Sequence, residues 1–177
     1  METVKPIVNR VAQSGLITLD LEDYFPKPEE IVTVDLKEFL FKELILREAE
    51  FRDVVKNTDW KKYEGKYVVL HCSTNAIIPM WAYMVLSAQL SVHAKDVACS
   101  SLEHAPEIFL YRNLAKLNAE DFNNQRVIVK GCGERKIPEA AFVQIAEQLS
   151  KVVRSLMYGE ACSSVPVFKK PNDKNEV

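Results

Sequence analysis

The chain contains no apolar run long enough to cross a bilayer, no CxxC pair, and five glycines among 177 residues. Each shortage excludes something. A membrane helix needs about 20 consecutive apolar residues. The longest apolar stretch here, 76–92, is broken by Ser87, Gln89 and Ser91. A formal net charge of −2 leaves no broad basic field for nucleic acid and no polybasic membrane anchor. The opening "METVKPIVNR" has no basic region followed by an apolar core, so no secretory signal is expected. Four cysteines, Cys72, Cys99, Cys132 and Cys162, are widely spaced. Without an export signal they are expected to stay reduced, in a cytoplasmic protein. The glycines form neither a Walker loop nor GxGxxG, and GxSxG and HExxH are also missing. Cys72 is followed by Ser-Thr-Asn-Ala-Ile-Ile with no arginine closing the loop, which argues against a cysteine phosphatase.

What is present is an alternation of strand and helix patterns. "LITLDLEDYF" (16–25) and "EIVTVDL" (30–36) read as two strands linked through Pro26 and Pro28. Asp35 can cap a helix over 37–56. The segments 66–72, 95–102 and 125–132 then read as strands. Helices are expected over 76–93, from Pro106 to about Leu117, and from Pro138 to about Met157, the last ended by Gly159. "VVL" and "VIV" are continuous apolar runs, as central parallel strands covered on both faces require.

The expected fold is therefore α/β. It is a single-domain three-layer sandwich over 1–170 with a mostly parallel sheet of about five strands and an N-terminal edge strand pair. Residues 171–177 read as a disordered tail. No internal repeat is read from the sequence.

Sites in open α/β sheets form beyond the carboxyl ends of the strands. Three loops qualify: 71–75, 100–107 and 130–136. Cys72 precedes an expected helix N-terminus, where partial positive charge lowers a thiol pKa. Gly131 and Gly133 flank Cys132, so backbone amides can approach a ligand there. Cys72 and Cys132 would approach each other if their strands were adjacent. The opposing reading is that a cysteine at a strand end simply packs, and mid-strand Cys99 is read that way.

Among the histidines, His71 should face away from Cys72. His93 closes a helix, and His104 is a candidate base for Cys72 or a further metal ligand. Asp20, Glu22 and Asp23 suit a hard cation or a solvated edge. Lys130, Glu134, Arg135 and Lys136 form a charged loop that suits an anion or plain solvation. A helix running to Met157 would carry Cys162 to the edge of the sheet opposite Cys132.

The phrases "VNRVAQSGLITLDLEDYFP", "LKEFLFKELILREAEFRDVVKNTDWKKYEGKYVVLHCSTNAIIPMWAYM", "VIVKGC" and "SLMYGEACSSVPVFKK" resemble a family of small uncharacterised bacterial proteins, a domain of unknown function numbered 2480. The likeness runs over about residues 7–170. It implies no activity. It does imply iron–sulfur assembly proteins as partners, which agrees with a thiol or metal role for Cys72, Cys132 and Cys162. Three readings stay open. One is a thiolate site for zinc or iron–sulfur iron built from Cys72, Cys132, Cys162 and His104. The second is a non-catalytic interaction module, homodimeric or partner-binding. The third is a thiol enzyme with Cys72 as nucleophile.

Overall fold

The computed structural model describes residues 15–130, 133–160 and 163–171. It is α/β with mostly parallel strands, as expected. The strands are β1 (Leu16–Asp20), β2 (Ile31–Asp35), β3 (Tyr67–His71), β4 (Asp96–Cys99), β5 (Arg126–Lys130), β6 (Ser155–Glu160) and β7 (Ser163–Lys169). The helices are α1 (Glu48–Asn57), α2 (Met80–Leu90), α3 (Ala105–Ala115) and α4 (Glu139–Leu149), with one-turn 3₁₀ segments between them.

The strands divide into two sheets among the described residues. One has the order β1-β5-β6-β7 and the other β2-β3-β4. The two N-terminal strands do lie at edges, but they do not pair with each other. β1 runs parallel to β5, and β2 runs parallel to β3. Two compact units result, Met1–Tyr24 with Asn113–Val177, and Phe25–Arg112. They are called the first and the second unit below.

Each unit is built on a strand with no polar side to spare. In the second unit, Tyr67, Val68, Val69 and Leu70 of β3 are all buried. Val68 and Leu70 pack with Val34, Phe51, Ala82, Leu86 and Leu90, while Tyr67 and Val69 pack with Ala98, Ala105 and Phe109. A strand buried on both faces must be covered by helices on both, which is why the connections are crossovers and the ladder is parallel.

The two units follow one plan, a repeat that the sequence reading missed. Moving 59 residues along the chain carries Pro79 to Pro138, Leu90 to Leu149 and Ser91 to Ser150. The first strands match at a shift of 15 residues, "TLDLEDYF" (18–25) against "TVDLKEFL" (33–40). Many buried residues coincide: Leu19 with Val34, Leu21 with Leu36, Val127 with Val68, Ile137 with Ile78, Ala141 with Ala82 and Ile145 with Leu86.

Backbone details coincide as well. Asp20 Oδ1 accepts the Glu22 N–H at 3.0 Å, as Asp35 Oδ1 accepts that of Lys37 at 3.0 Å. Gly65 and Asn124 share a left-handed φ, of 68° and 56°. Lys95 N–H donates to Lys66 at 2.8 Å, and Arg154 N–H donates to Gln125 at 2.8 Å. Strand register agrees too: Tyr67 faces Ile31 and Asp96, and Arg126 faces Leu16 and Ser155.

Three expected helices are shorter than their patterns suggested, the 76–93 segment being helical only over Met80–Leu90. The 37–56 segment is a 3₁₀ turn (Leu36–Phe39), a Phe41–Ile45 bridge and then α1. Lys42 and Glu43 take φ values of 50° and 61°, which end any continuous helix. Its apolar residues fell on several faces because no single helix organises them. The 138–157 segment stops at Leu149, and Ser155–Glu160 returns as β6 parallel to β5.

Because Leu86 and Ile145 fill corresponding places and are both fully buried, truncating either to alanine should destabilise the protein by about 2–5 kcal/mol. Urea unfolding of Leu86→Ala and Ile145→Ala checks this. A loss well under 1 kcal/mol at either place would contradict the shared core.

Candidate functional site

The carboxyl edge of the β2-β3-β4 sheet carries the densest polar chemistry of the second unit. A cavity of about 600 Å³ is lined there by His71, Cys72, Thr74, Tyr83, Cys99, Ser100 and Ser101, with Leu70, Ala76 and Leu102. Cys72 lies just past the end of β3, and Cys99 is the last residue of β4. Leu70 and Cys99 are register partners, so the strands aim both thiols toward the α2 side. Cys72 is half-buried with Sγ 3.4 Å from Thr74 Oγ1, and Cys99 is exposed. Strand spacing and rise put their Cα atoms about 8 Å apart. Both are free thiols. Burial first, and then negative charge on Cys99 and Cys72, push the Tyr83 phenol above its ordinary value.

Asp35 fixes the mouth of this cavity. Its Oδ1 accepts N–H groups from Lys37 and Ser73, both at 3.0 Å. Partial burial alone would raise its carboxyl, but the hydrogen bonds from Ser73 and Lys37 outweigh burial and hold it below the ordinary carboxylate value. The loop after β3 is thereby tied to the end of β2.

Of the proposed ligands, the structure brings Cys72 together with Cys99, a residue read from the sequence as packing. The signal available for Cys99 was its position at the β4 end, before Ser100 and Ser101. His104 is exposed, and its Nδ1 lies 2.7 Å from Ser101 Oγ at the start of α3. His71 shares the cavity with Cys72. Cys132 and Cys162 lie outside the described residues. β3 and β5 belong to different sheets, so Cys72 does not end a strand adjacent to the one preceding Cys132. Lys130 and Glu160, the last residues of β5 and β6, stand at the same edge of one sheet. Among the described residues, no three or more His, Cys, Asp and Glu side chains converge on a metal position.

The corresponding place in the first unit holds a larger and different cavity, of about 840 Å³. It lies between α4 and the carboxyl ends of β5 and β6. Phe142 stands where Tyr83 does, and Tyr158 where Cys99 does. Their rings meet edge to face at 5.5 Å. β7, which has no counterpart beside β4, adds Val167 to the wall. Val143 is 67% exposed and Val167 53%. The rim loop, with Glu134, Arg135 and Lys136, is held by the Arg135 N–H donating to Glu22 Oε1 at 3.0 Å. A Cβ at Gly133 would meet the Glu22 carboxylate, which would have to swing aside. Lys130 pairs with Asp20 at 3.0 Å, and that hydrogen bond and charge raise the lysine above its ordinary value. The acids Asp20 and Glu22 are thus structural clamps on their own unit.

Asp35 gives a pH prediction. Its folded-state pKa is lowered, so its contribution is complete above the ordinary carboxylate range near pH 4 and is lost as pH falls through the depressed value. Asp35→Asn should therefore lower the urea midpoint at neutral pH and differ little from wild type near pH 2. An equal deficit at both pH values would refute the carboxylate's role.

No helix among the described residues is long and apolar enough to cross a membrane. No curated protein and no solved structure gives a significant match to the chain. A family model described as "Protein of unknown function (DUF2480)" matches residues 5–170, spanning both copies of the repeated plan, and the chain belongs to that family.

Proposed function

We propose that the protein is a binding module whose principal site is the cleft of the first unit, and that its occupant is a small molecule with an apolar body and an anionic end. One observation carries this reading. Phe142, Val143, Tyr158 and Val167 turn apolar surface into one cavity of about 840 Å³, within the range typical of ligand pockets. The added strand β7 supplies part of that wall, whereas the equivalent place in the second unit has no such strand. Arg135 and Lys136 on the rim, which Glu134 and Glu139 share, can meet a carboxylate head, and the apolar wall suits the body. Decanoate serves as the probe, followed by NMR titration of the full chain. Saturable binding is expected, weakened about tenfold or more by Val143→Asp. Val143 is largely exposed, so the variant should fold. Absence of saturation, or an unchanged affinity in the variant, would overturn the reading.

A second reading is favoured by the convergence of Cys72 and Cys99 on one cavity. Paired thiols suit soft metals, zinc and iron–sulfur iron among them. The iron–sulfur assembly partners implied by family resemblance belong with this reading, as does a ligand role for Cys132, Cys162 or His104. Cadmium titration reports it through thiolate-to-metal absorbance. Stoichiometric absorbance that is lost in both Cys72→Ala and Cys99→Ala supports the pair. Full absorbance in both variants would contradict it.

A further inference from the structure

The edge of the first unit opposite its apolar cleft gathers positive charge. A cleft of about 390 Å³ is lined by Arg126, Arg154, Lys169 and Lys170, with Ser155 and the apolar Met157, Pro166 and Phe168. Among the described residues, no carboxylate lines it. The arrangement is set by backbone pairing. Arg126, Ser155 and Lys169 are register partners across β5, β6 and β7. One step outward, the Arg154 N–H donates to Gln125 at 2.8 Å, and the Lys170 N–H donates to Arg154 at 2.9 Å. Two adjacent rows thus place four cations on, or one residue beyond, three neighbouring strands, with Ser155 between Arg126 and Lys169 in register.

Like charges on neighbouring strands are unfavourable. The other copy of the repeat carries different residues at these places. There the places of Arg126 and Ser155 are taken by Tyr67 and Asp96. Asp96 pairs with Arg112 at 2.7 Å, and Lys95 sits over the Tyr67 ring at 4.7 Å. In the first unit the acid has become serine, the tyrosine has become arginine, and β7 brings two lysines more. This concentration of charge is specific to one copy, in a chain whose net charge is −2. A generally basic surface therefore does not account for it.

We infer that this cleft is a binding site for a small phosphorylated molecule. Arginine forks and a serine hydroxyl are the donors that phosphate oxygens accept from most readily. Phe168, half-buried at the cleft wall, offers a face for a flat body attached to the phosphates. The site is separate from the apolar cleft and does not depend on it.

Isothermal titration calorimetry of the full chain at low ionic strength, with pyrophosphate and ADP as probes, tests the inference. Both should bind, ADP the more tightly, at a Kd of about 100 μM or below. Affinity should fall with added salt. Arg154→Ala and Lys169→Ala should each weaken binding about tenfold or more. Both side chains are exposed, so thermal unfolding should be unchanged and the loss attributable to the site. Val143→Asp should leave ADP binding intact. Absence of binding by both probes would overturn the inference, as would wild-type affinity in both cation variants. Pyrophosphate binding with no gain for ADP would remove Phe168 from it.

Discussion

Two strands that water does not reach organise this protein. β3 and β5 are buried on both faces over Val68–Leu70 and Val127–Val129. Burial of each such side chain stabilises by about 1.5–3 kcal/mol, and it is available only if helices cover both sides. That requirement selects crossover connections, and crossovers select parallel neighbours. Parallel neighbours in turn bring their carboxyl ends to one edge. The cavities with Cys72 and Tyr158 lie where they do because the central strand of each unit tolerates no exposure.

One plan used twice separates framework from function. Positions that agree between the copies are core or backbone: the 3₁₀ turns, the proline helix starts, and the left-handed Gly65 and Asn124. Positions that disagree line the cavities. Cys99 against Tyr158, and Thr74 against Gly133, give a thiol-lined recess in one unit and an apolar cleft in the other. The third strands also end differently. β6 receives β7, whereas the free edge of β4 is blocked locally. There the Val97 N–H donates to Asp96 Oδ1 at 2.8 Å, and Arg112 donates to the Val97 carbonyl at 2.6 Å. Such capping prevents further strand addition. β7 is itself an edge, and Pro166 with Lys169 and Lys170 discourage pairing there.

Much of this was legible in the chain. The runs "VVL" and "VIV" announced buried central strands, and Pro106 and Pro138 marked helix starts, whereas α2, expected from Ala76, starts only after Pro79. β6 was hidden because "KVVRSLMY" continues the apolar content of α4 with no proline or glycine between them. Only Ser150, equivalent to the α2-ending Ser91, marks the stop. The division into two sheets depends on β1 pairing with a strand more than a hundred residues distant, which periodicity does not report. The repeat escaped notice because the whole second unit intervenes between β1 and the remainder of the first. Comparing the chain with itself at a shift of 59 residues reveals it. Cys99 reads as packing because it reaches the cavity of Cys72 only through the pairing of β4 with β3, Leu70 opposite Cys99, which periodicity does not report.

Residue-resolved hydrogen exchange tests most directly the claim that one buried-strand plan is used twice. The slowest amides should fall in both β3 and β5, at matching positions, with the 3₁₀ turns and β7 exchanging faster. Protection confined to one of the two central strands would contradict the account.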